Sequence, residues 1–145
     1  LSAAQLERLA ARLRDDHWEV REAAARALKA GPTSAAAHAA ELVTCLVDPS
    51  SHVRGAAFEA LLSVGGRVAA GAAAKMLHNT DWKARRAALQ LIAALEDGAA
   101  APHAGLIETL LGDGDRHVRE AAVQALGRMA ASNPSASWDG TETRL

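Results

Sequence analysis

The side chains of this sequence with the greatest potential for chemistry are its six histidines and its one cysteine, Cys45. A zinc site needs several nitrogen or sulfur ligands at ~2.0–2.3 Å, often supplied by motifs such as His-Glu-x-x-His or Cys-x-x-Cys. Neither motif occurs here, and the acidic residues form no cluster. The sequence therefore predicts neither a metal site nor a bound cofactor.

The sequence also lacks the partnered groups that activate a catalytic nucleophile. Cys45 stands between Leu42 and Leu46 in an apolar stretch, where a thiol is buried and its reactive thiolate is disfavoured. The serines fall where turns are expected and have no neighbouring base, and the glycine pair Gly65-Gly66 does not form a phosphate-binding loop. We therefore expect no catalytic residues and no enzymatic activity.

Composition and charge narrow the classes of partner. Lys and Arg total 16 against 17 Asp and Glu, which gives a formal net charge of −1, and no basic block is present to gather phosphates. Nucleic-acid binding by counterion release is therefore not expected. No apolar run approaches the ~18 residues that a membrane helix needs. One cysteine cannot form an internal disulfide, and we expect an intracellular, cytoplasmic protein that does not insert into a membrane.

A repeated pattern indicates which elements position these side chains. Four arginines are spaced 33, 31 and 34 residues apart, with alanine two and three places after each and Leu or Ile seven places after each. These arginines are Arg21, Arg54, Arg85 and Arg119. The spacing places the apolar residues on one stripe of a helix with 3.6 residues per turn, and an aspartate-containing turn signal precedes each stripe.

The pattern predicts an all-α chain of four antiparallel helix pairs, with the second helices ended by Gly, Asn or Pro. The predicted helices are 3–14, 18–30, 34–47, 51–64, 67–78, 81–96, 102–112 and 116–131. The predicted repeats, about 2–31, 33–65, 66–98 and 101–131, form one domain at 1–131. Residues 132–145, rich in Ser, Thr and Gly, are expected to form an irregular tail.

The repeated core resembles the HEAT repeat, and it is similar above all to the short HEAT-like repeats of phycobilisome lyases. The likeness lies in the pattern Asp-x-x-x-Val-Arg-x-Ala-Ala-x-x-Ala-Leu, which residues 16–28 follow. The resemblance implies an α-solenoid of the armadillo/HEAT-like type, in which each helix pair contacts only its neighbours.

The same resemblance implies that the four arginines form a structural ladder. Each arginine stands beside two alanines that we expect to be buried, and its guanidinium can reach a capping aspartate of its own or the adjacent repeat. A row of anion-binding arginines is the alternative interpretation.

One candidate surface is the exposed side of the second helices, which lines the concave groove of HEAT-like solenoids. Seven of the eight residues one and five places after the arginines are polar and of mixed charge, which suits a peptide or a partner helix. They are Glu22, Arg26, Glu59, Arg86, Gln90, Glu120 and Gln124. The alternative is a solvated face on which Glu22 and Arg26 form an i, i+4 pair.

A second candidate surface is the ridge of turns between the paired helices. It contains Trp18, His52, Trp82, Lys83 and His117. Tryptophan in an exposed turn beside His or Lys is typical of a binding hot spot. The segment Trp82-Lys83-Ala84-Arg85 also resembles the first turn of TOG domains, which implies tubulin binding, although a TOG domain usually has six helix pairs. The alternative is that the tryptophans pack over the start of a helix.

The tail carries two further predictions. Its end, Glu142-Thr143-Arg144-Leu145, resembles a class I PDZ ligand, in which the terminal carboxylate and the last side chain are bound. Trp138 is expected to fold back over the last repeat, because a terminal repeat needs a cover on its outer face.

These patterns predict a non-catalytic protein–protein interaction or scaffold module, part of a larger protein or complex, that binds a protein partner through the groove and the ridge. Two alternatives come from the resemblances. One is a bilin-handling protein similar to phycobilisome lyases, and the other is a tubulin-binding module similar to TOG domains.

Overall fold

The computed structural model describes residues 1–96 and 98–131, so the predictions for the tail at 132–145, including Trp138 and the PDZ-like end, lie outside the described residues. The described part contains nine α-helices, four short 3-10 turns and no strand, which confirms the all-α class. The helices are α1 (Ala3–Ala11), α2 (Trp18–Lys29), α3 (Pro32–Ala37), α4 (Ala39–Thr44), α5 (Ser51–Ser63), α6 (Gly66–Met76), α7 (Trp82–Ala94), α8 (Ala104–Thr109) and α9 (Arg116–Ala131).

The first helix of three repeats ends in a 3-10 turn instead of continuing as α-helix to its predicted end. The turns are Arg12–Arg14, Cys45–Val47 and Leu110–Gly112. The residue after each turn is an aspartate with extended backbone, and its carboxylate accepts a hydrogen bond at 2.9 Å from the amide two residues later. This local bond competes with the helix and redirects the chain into the second helix of the pair.

The first helix of the second repeat differs from its prediction, because it is broken into α3 and α4 at His38. The side chain of His38 is buried, with Nδ1 3.1 Å from a carboxylate oxygen of Glu41. Its neighbours Ala35 and Ala39 are buried too, and such small side chains leave room for a polar ring that has a partner. A fourth 3-10 turn, Ala101–His103, precedes α8, so that α8 begins at Ala104 and is shorter than its predicted helix.

The buried residues form one continuous cluster that runs through all four repeats from Ala10 to Ala125. Leucines and two isoleucines are its largest fully buried side chains, and many of its other members are alanines. In the described part of the chain, no helix combines the length and the apolar character needed to cross a membrane.

The alanines that follow the arginines are not equally buried, contrary to the expectation. The alanine three places after each arginine is buried in every repeat: Ala24, Ala57, Ala88 and Ala122. Two places after, Ala56 and Ala121 are buried, but Ala87 is half-buried and Ala23 is exposed. Ala87 faces a helix of repeat 2 that lies apart from it.

That helix is α5, and its separation from α7 divides the solenoid. The most extensive helix–helix contacts are those of α2 with α5 and of α7 with α9, whereas α5 and α7 scarcely touch. Repeats 2 and 3 are joined instead by α4 against α6 and by the Cys45–Val47 turn against α7. The molecule therefore consists of two closely packed pairs of repeats with an opening between their second helices.

Candidate functional site

Two ladder arginines each bind an aspartate of the next repeat through Nε and Nη2, the two donors on one edge of the guanidinium. Arg21 donates to the two carboxylate oxygens of Asp48 at 2.8 and 3.0 Å. Arg85 donates to those of Asp113 at 2.9 Å each. Paired charge-assisted hydrogen bonds are among the strongest that arginine makes. They tie repeat 1 to repeat 2 and repeat 3 to repeat 4.

These bonds shift the protonation equilibria of the partners. The hydrogen bonds from Arg85, together with a backbone amide, lower the pKa of Asp113. Burial by itself would raise the pKa of Asp48, but the hydrogen bonds from Arg21 and from a backbone amide outweigh it, so the pKa of Asp48 is lowered. The same bonds raise the pKa of both arginines. Both pairs are therefore ionised at neutral pH.

All four ladder arginines also bind the turn before their own helix. In each, Nη1 donates to the backbone carbonyl six residues earlier, at 2.7 Å in Arg21, Arg54 and Arg119 and at 2.8 Å in Arg85. Within a repeat the four residues thus have the same role. Between repeats they differ, because Arg54 and Arg119 form no ion pair within the described residues.

The aromatic residues of the ridge also join repeat 1 to repeat 2 and repeat 3 to repeat 4. Trp18 stacks on His52 of the next repeat, with ring centroids 4.8 Å apart, and Trp82 stacks on His117 at 5.1 Å. Trp18 is still 38% exposed, and Trp82 is half-buried. Each tryptophan therefore packs against the neighbouring repeat and exposes only part of its surface to solvent.

The junction between repeats 2 and 3 lacks the residues for either contact. Asn79 stands where Asp48 and Asp113 stand in their repeats, six residues before the arginine. Ser51 replaces the tryptophan, and Lys83 replaces the histidine. With no carboxylate to receive the arginine and no ring pair to stack, α5 and α7 are left apart.

The opening forms a cleft of about 510 Å³ between repeats 2 and 3. It is lined by Leu46, Val47, Asp48, Pro49, Arg54, Trp82, Lys83, Arg86, Ala87 and Gln90. The lining combines apolar side chains with three cationic ones, and this volume is within the ~300–1,000 Å³ range of ligand pockets.

The cleft joins residues that the sequence assigned to three different sets. Arg86 and Gln90 come from the predicted groove, Trp82 and Lys83 from the predicted ridge, and Arg54 from the ladder. Sequence reasoning missed the wall contributed by residues 46–49 of repeat 2. The available signal was Asn79, the position at which the aspartate of the other repeats is absent.

The remaining predicted groove residues lie outside the cleft. Glu22 and Arg26 form the expected i, i+4 ion pair at 2.8 Å, and Glu59 pairs with Lys29 of the preceding repeat at 3.3 Å. Glu120 and Gln124 are exposed on α9. The ridge residues His52 and His117 are held in their stacks.

Cys45 is buried, with Sγ 3.9 Å from the carbonyl oxygen of Leu13. Burial, assisted by the negative charge of Asp48, raises the pKa of the Cys45 thiol to about 11, which disfavours the nucleophilic thiolate. Within residues 1–96 and 98–131, no three His, Cys, Asp or Glu side chains are grouped so that they could hold a metal ion.

The fold defines a class: an α-helical solenoid of short helix pairs tied by an arginine ladder. The sequence profile of HEAT repeats matches residues 6–93 and 72–137, which together span most of the chain. The chain belongs to the HEAT-repeat family, which confirms the resemblance drawn from the arginine-centred motif. No curated protein resembles the chain closely enough in sequence to count as a relative.

Solved structures with this architecture include two engineered proteins and a natural complex. One engineered protein is 22% identical over 88% of this chain, and the match covers 63% of its own length with a TM-score of 0.50. The other is 24% identical over 90% of this chain, and the match covers 39% of its own length with a TM-score of 0.51. The complex of CpcE and CpcF of phycocyanin lyase from Nostoc sp. PCC7120 is 28% identical over 87% of this chain, with a TM-score of 0.51. That match covers 53% of its chain, so this sequence spans less than two thirds of each of the three structures.

Proposed function

We propose that the chain is a non-catalytic protein-interaction module that binds a segment of a partner protein in the cleft between repeats 2 and 3. The observation that supports it is the opening itself. At each of the other two junctions, an arginine donates to both carboxylate oxygens of an aspartate (an arginine fork), a tryptophan stacks on a histidine, and the second helices are in extensive contact. Within the described residues, all three contacts are missing between repeats 2 and 3.

The composition of the cleft fits a peptide better than a small reactive substrate. Leu46, Val47 and Trp82 offer apolar surface, while Gln90 and the cationic side chains offer hydrogen-bond donors. Solenoid repeats present extended surfaces of this kind to partner chains. The one thiol of the sequence is buried and its pKa is raised, so it does not supply a reactive nucleophile to the cleft.

A matched pair of tryptophan substitutions tests the cleft. Gln90 lines it on α7, and Gln124 occupies the same repeat position on α9, outside it; both side chains are exposed. Peptides selected on the full chain from a random dodecapeptide phage library are expected to bind Gln90→Trp at least ~10-fold more weakly, because the indole narrows the cleft.

The same peptides should bind Gln124→Trp as they bind the unchanged protein, when affinity is measured by fluorescence polarisation. Equal binding to both variants, or a library that yields no binding peptide, would contradict the proposed function.

A second candidate is the handling of a linear tetrapyrrole, and the likeness to the phycocyanin lyase complex favours it. Mixing the chain with a linear tetrapyrrole should then change the pigment's visible absorption spectrum, and an unchanged spectrum would exclude it. Tubulin binding through the turns receives less support, since Trp82 is stacked on His117.

A further inference from the structure

Arg54 occupies the same position as Arg21 and Arg85, but its outward donors have no carboxylate to bind. Its Nη1 bonds to the carbonyls of Asp48 and Pro49 at 2.7 and 3.1 Å, as the ladder role requires. In Arg21 and Arg85 the remaining Nε and Nη2 donors face the next repeat and hold its aspartate. In Arg54 those two donors make no hydrogen bond to any described residue, and the side chain is exposed at the cleft.

The next repeat cannot supply the missing acceptor pair, because it carries Asn79. The Asn79 side-chain oxygen accepts a hydrogen bond at 2.8 Å from the amide of Asp81, as the aspartates do in their own turns. Its other side-chain atom is an NH₂ donor, so it cannot receive a guanidinium on two oxygens. The turn is preserved while the inter-repeat pair is lost.

The surroundings of Arg54 leave the cleft electropositive. Lys83 and Arg86 line the opposite wall, both exposed, and neither forms an ion pair with a described residue. The acidic residue that lines the cleft within the described part is Asp48, whose two oxygens already accept from Arg21. Three cations therefore face a cleft whose own carboxylate is occupied.

We propose that the cleft binds an acidic segment of a protein partner. An Asp or Glu carboxylate of that segment would accept hydrogen bonds from Nε and Nη2 of Arg54, as Asp48 accepts them from Arg21 and Asp113 from Arg85. The partner would complete the ladder at the junction between repeats 2 and 3, where the described residues leave it open. This inference rests on the proposed function and specifies the chemistry of the partner.

A carboxylate on a peptide fits better than a phosphate on a nucleic acid. The ladder binds carboxylates by the same fork at two equivalent positions, at 2.8–3.0 Å. The cations are confined to one cleft of a chain whose formal net charge is −1, so they form no track for a phosphate backbone. The same cleft is also lined by Val47 and Trp82, which suit an apolar neighbour of the acidic residue.

The test uses the dodecapeptides selected on the full chain. We expect them to be enriched in Asp and Glu, and we expect a fluorescein-labelled representative to bind Arg54→Gln about tenfold more weakly than the unchanged protein. Arg119→Gln is the matched control: it removes an equivalent 2.7 Å bond to its own turn but lies outside the cleft. Its affinity should change less than ~2-fold.

A second variant, Asn79→Asp, separates loss of the fork from loss of the fold. It supplies an internal carboxylate, so it should weaken peptide binding about as much as Arg54→Gln while leaving the melting temperature unchanged or higher. Replacing the acidic residue of the peptide by its amide should weaken binding to the unchanged protein and have little further effect on either variant.

The outcomes separate the two proposals. Peptides that depend on Gln90 but carry no acidic residue, or that bind Arg54→Gln as well as they bind the unchanged protein, would overturn this inference and leave the proposed function standing. A single-stranded oligonucleotide that binds as tightly as the peptide, with the same dependence on Arg54, would also overturn it. A library without binders would remove both.

Discussion

At the scale of single residues, the difference between Asn79 and its aspartate counterparts is an NH₂ group in place of an oxygen. Both side chains hold the turn, since Asn79 accepts from an amide at 2.8 Å and Asp48 and Asp113 accept at 2.9 Å. Only the carboxylate also accepts a guanidinium on two oxygens. Local structure is therefore insensitive to this exchange, and the contact between repeats is not.

The Arg85–Asp113 pair should make stability depend on pH. Arg85 lowers the pKa of Asp113 in the folded state. The contribution of this ion pair to the free energy of unfolding is therefore complete above the ordinary carboxyl pKa of about 3.9. It is lost as the pH falls through the lower pKa that Asp113 has in the folded state. We expect Asp113→Asn, which keeps a turn acceptor, to reduce the free energy of unfolding by about 1–2 kcal/mol at pH 7.

Thermal melts of Asp113→Asn and the unchanged protein should converge as the pH falls from about 5 to 2. Asp16→Asn is the control, since Asp16 is exposed and no hydrogen bond to its carboxylate is present in the described structure. A gap for Asp113→Asn that stays constant down to the lowest pH would show that the lost contact is not electrostatic.

At the scale of elements, small side chains determine how closely the helices approach. α6 begins at Gly66, where an added Cβ would lie 2.6 Å from the Cβ of Ala99. The residue before it, Gly65, has φ 101°, a conformation that favours glycine, and it turns the chain from α5 into α6. Close approach at the helix start and a left-handed turn are thus adjacent in sequence.

Two alanine substitutions within α6 should have opposite effects. Gly66→Ala must displace Ala99 or the backbone, and we expect it to lower the free energy of unfolding by about 1–3 kcal/mol. At Gly71 an added Cβ meets no heavy atom within 4 Å. Gly71→Ala should therefore raise the free energy of unfolding by ~0.5–1 kcal/mol through helix propensity. Urea titrations followed by circular dichroism measure both, and equal signs would mean that packing at residue 66 is not limiting.

At the scale of the whole molecule, the chain is two pairs of repeats that share one core. The pairs are separate in their ladder and in their second-helix contacts, yet one buried cluster contains residues of both pairs. An opening on one side therefore coexists with a continuous core on the other. This arrangement allows a cleft to form without dividing the protein into two independent domains.

Unfolding should consequently be cooperative across the cleft. Trp18 lies in the first pair of repeats and Trp82 in the second, so each reports one pair when the other tryptophan and Trp138 are replaced by phenylalanine. In each variant, we expect the midpoints of the fluorescence and circular dichroism transitions in urea to agree within ~0.2 M. We expect the fluorescence midpoints of the two variants to agree within the same range. Clearly separated midpoints would show that the pairs fold independently.

Sequence determined the helical repeat, because apolar periodicity, turn signals and the alanine-flanked arginines are local patterns that report directly on helices and their ends. It also placed Trp82, Lys83, Arg86 and Gln90 on candidate surfaces. Only the tertiary structure showed that Arg54 joins them, that residues 46–49 form the facing wall, and that His38 is buried. The physical reason is that a contact between repeats depends on what packs opposite a residue, and that partner lies about 30 residues away along the chain.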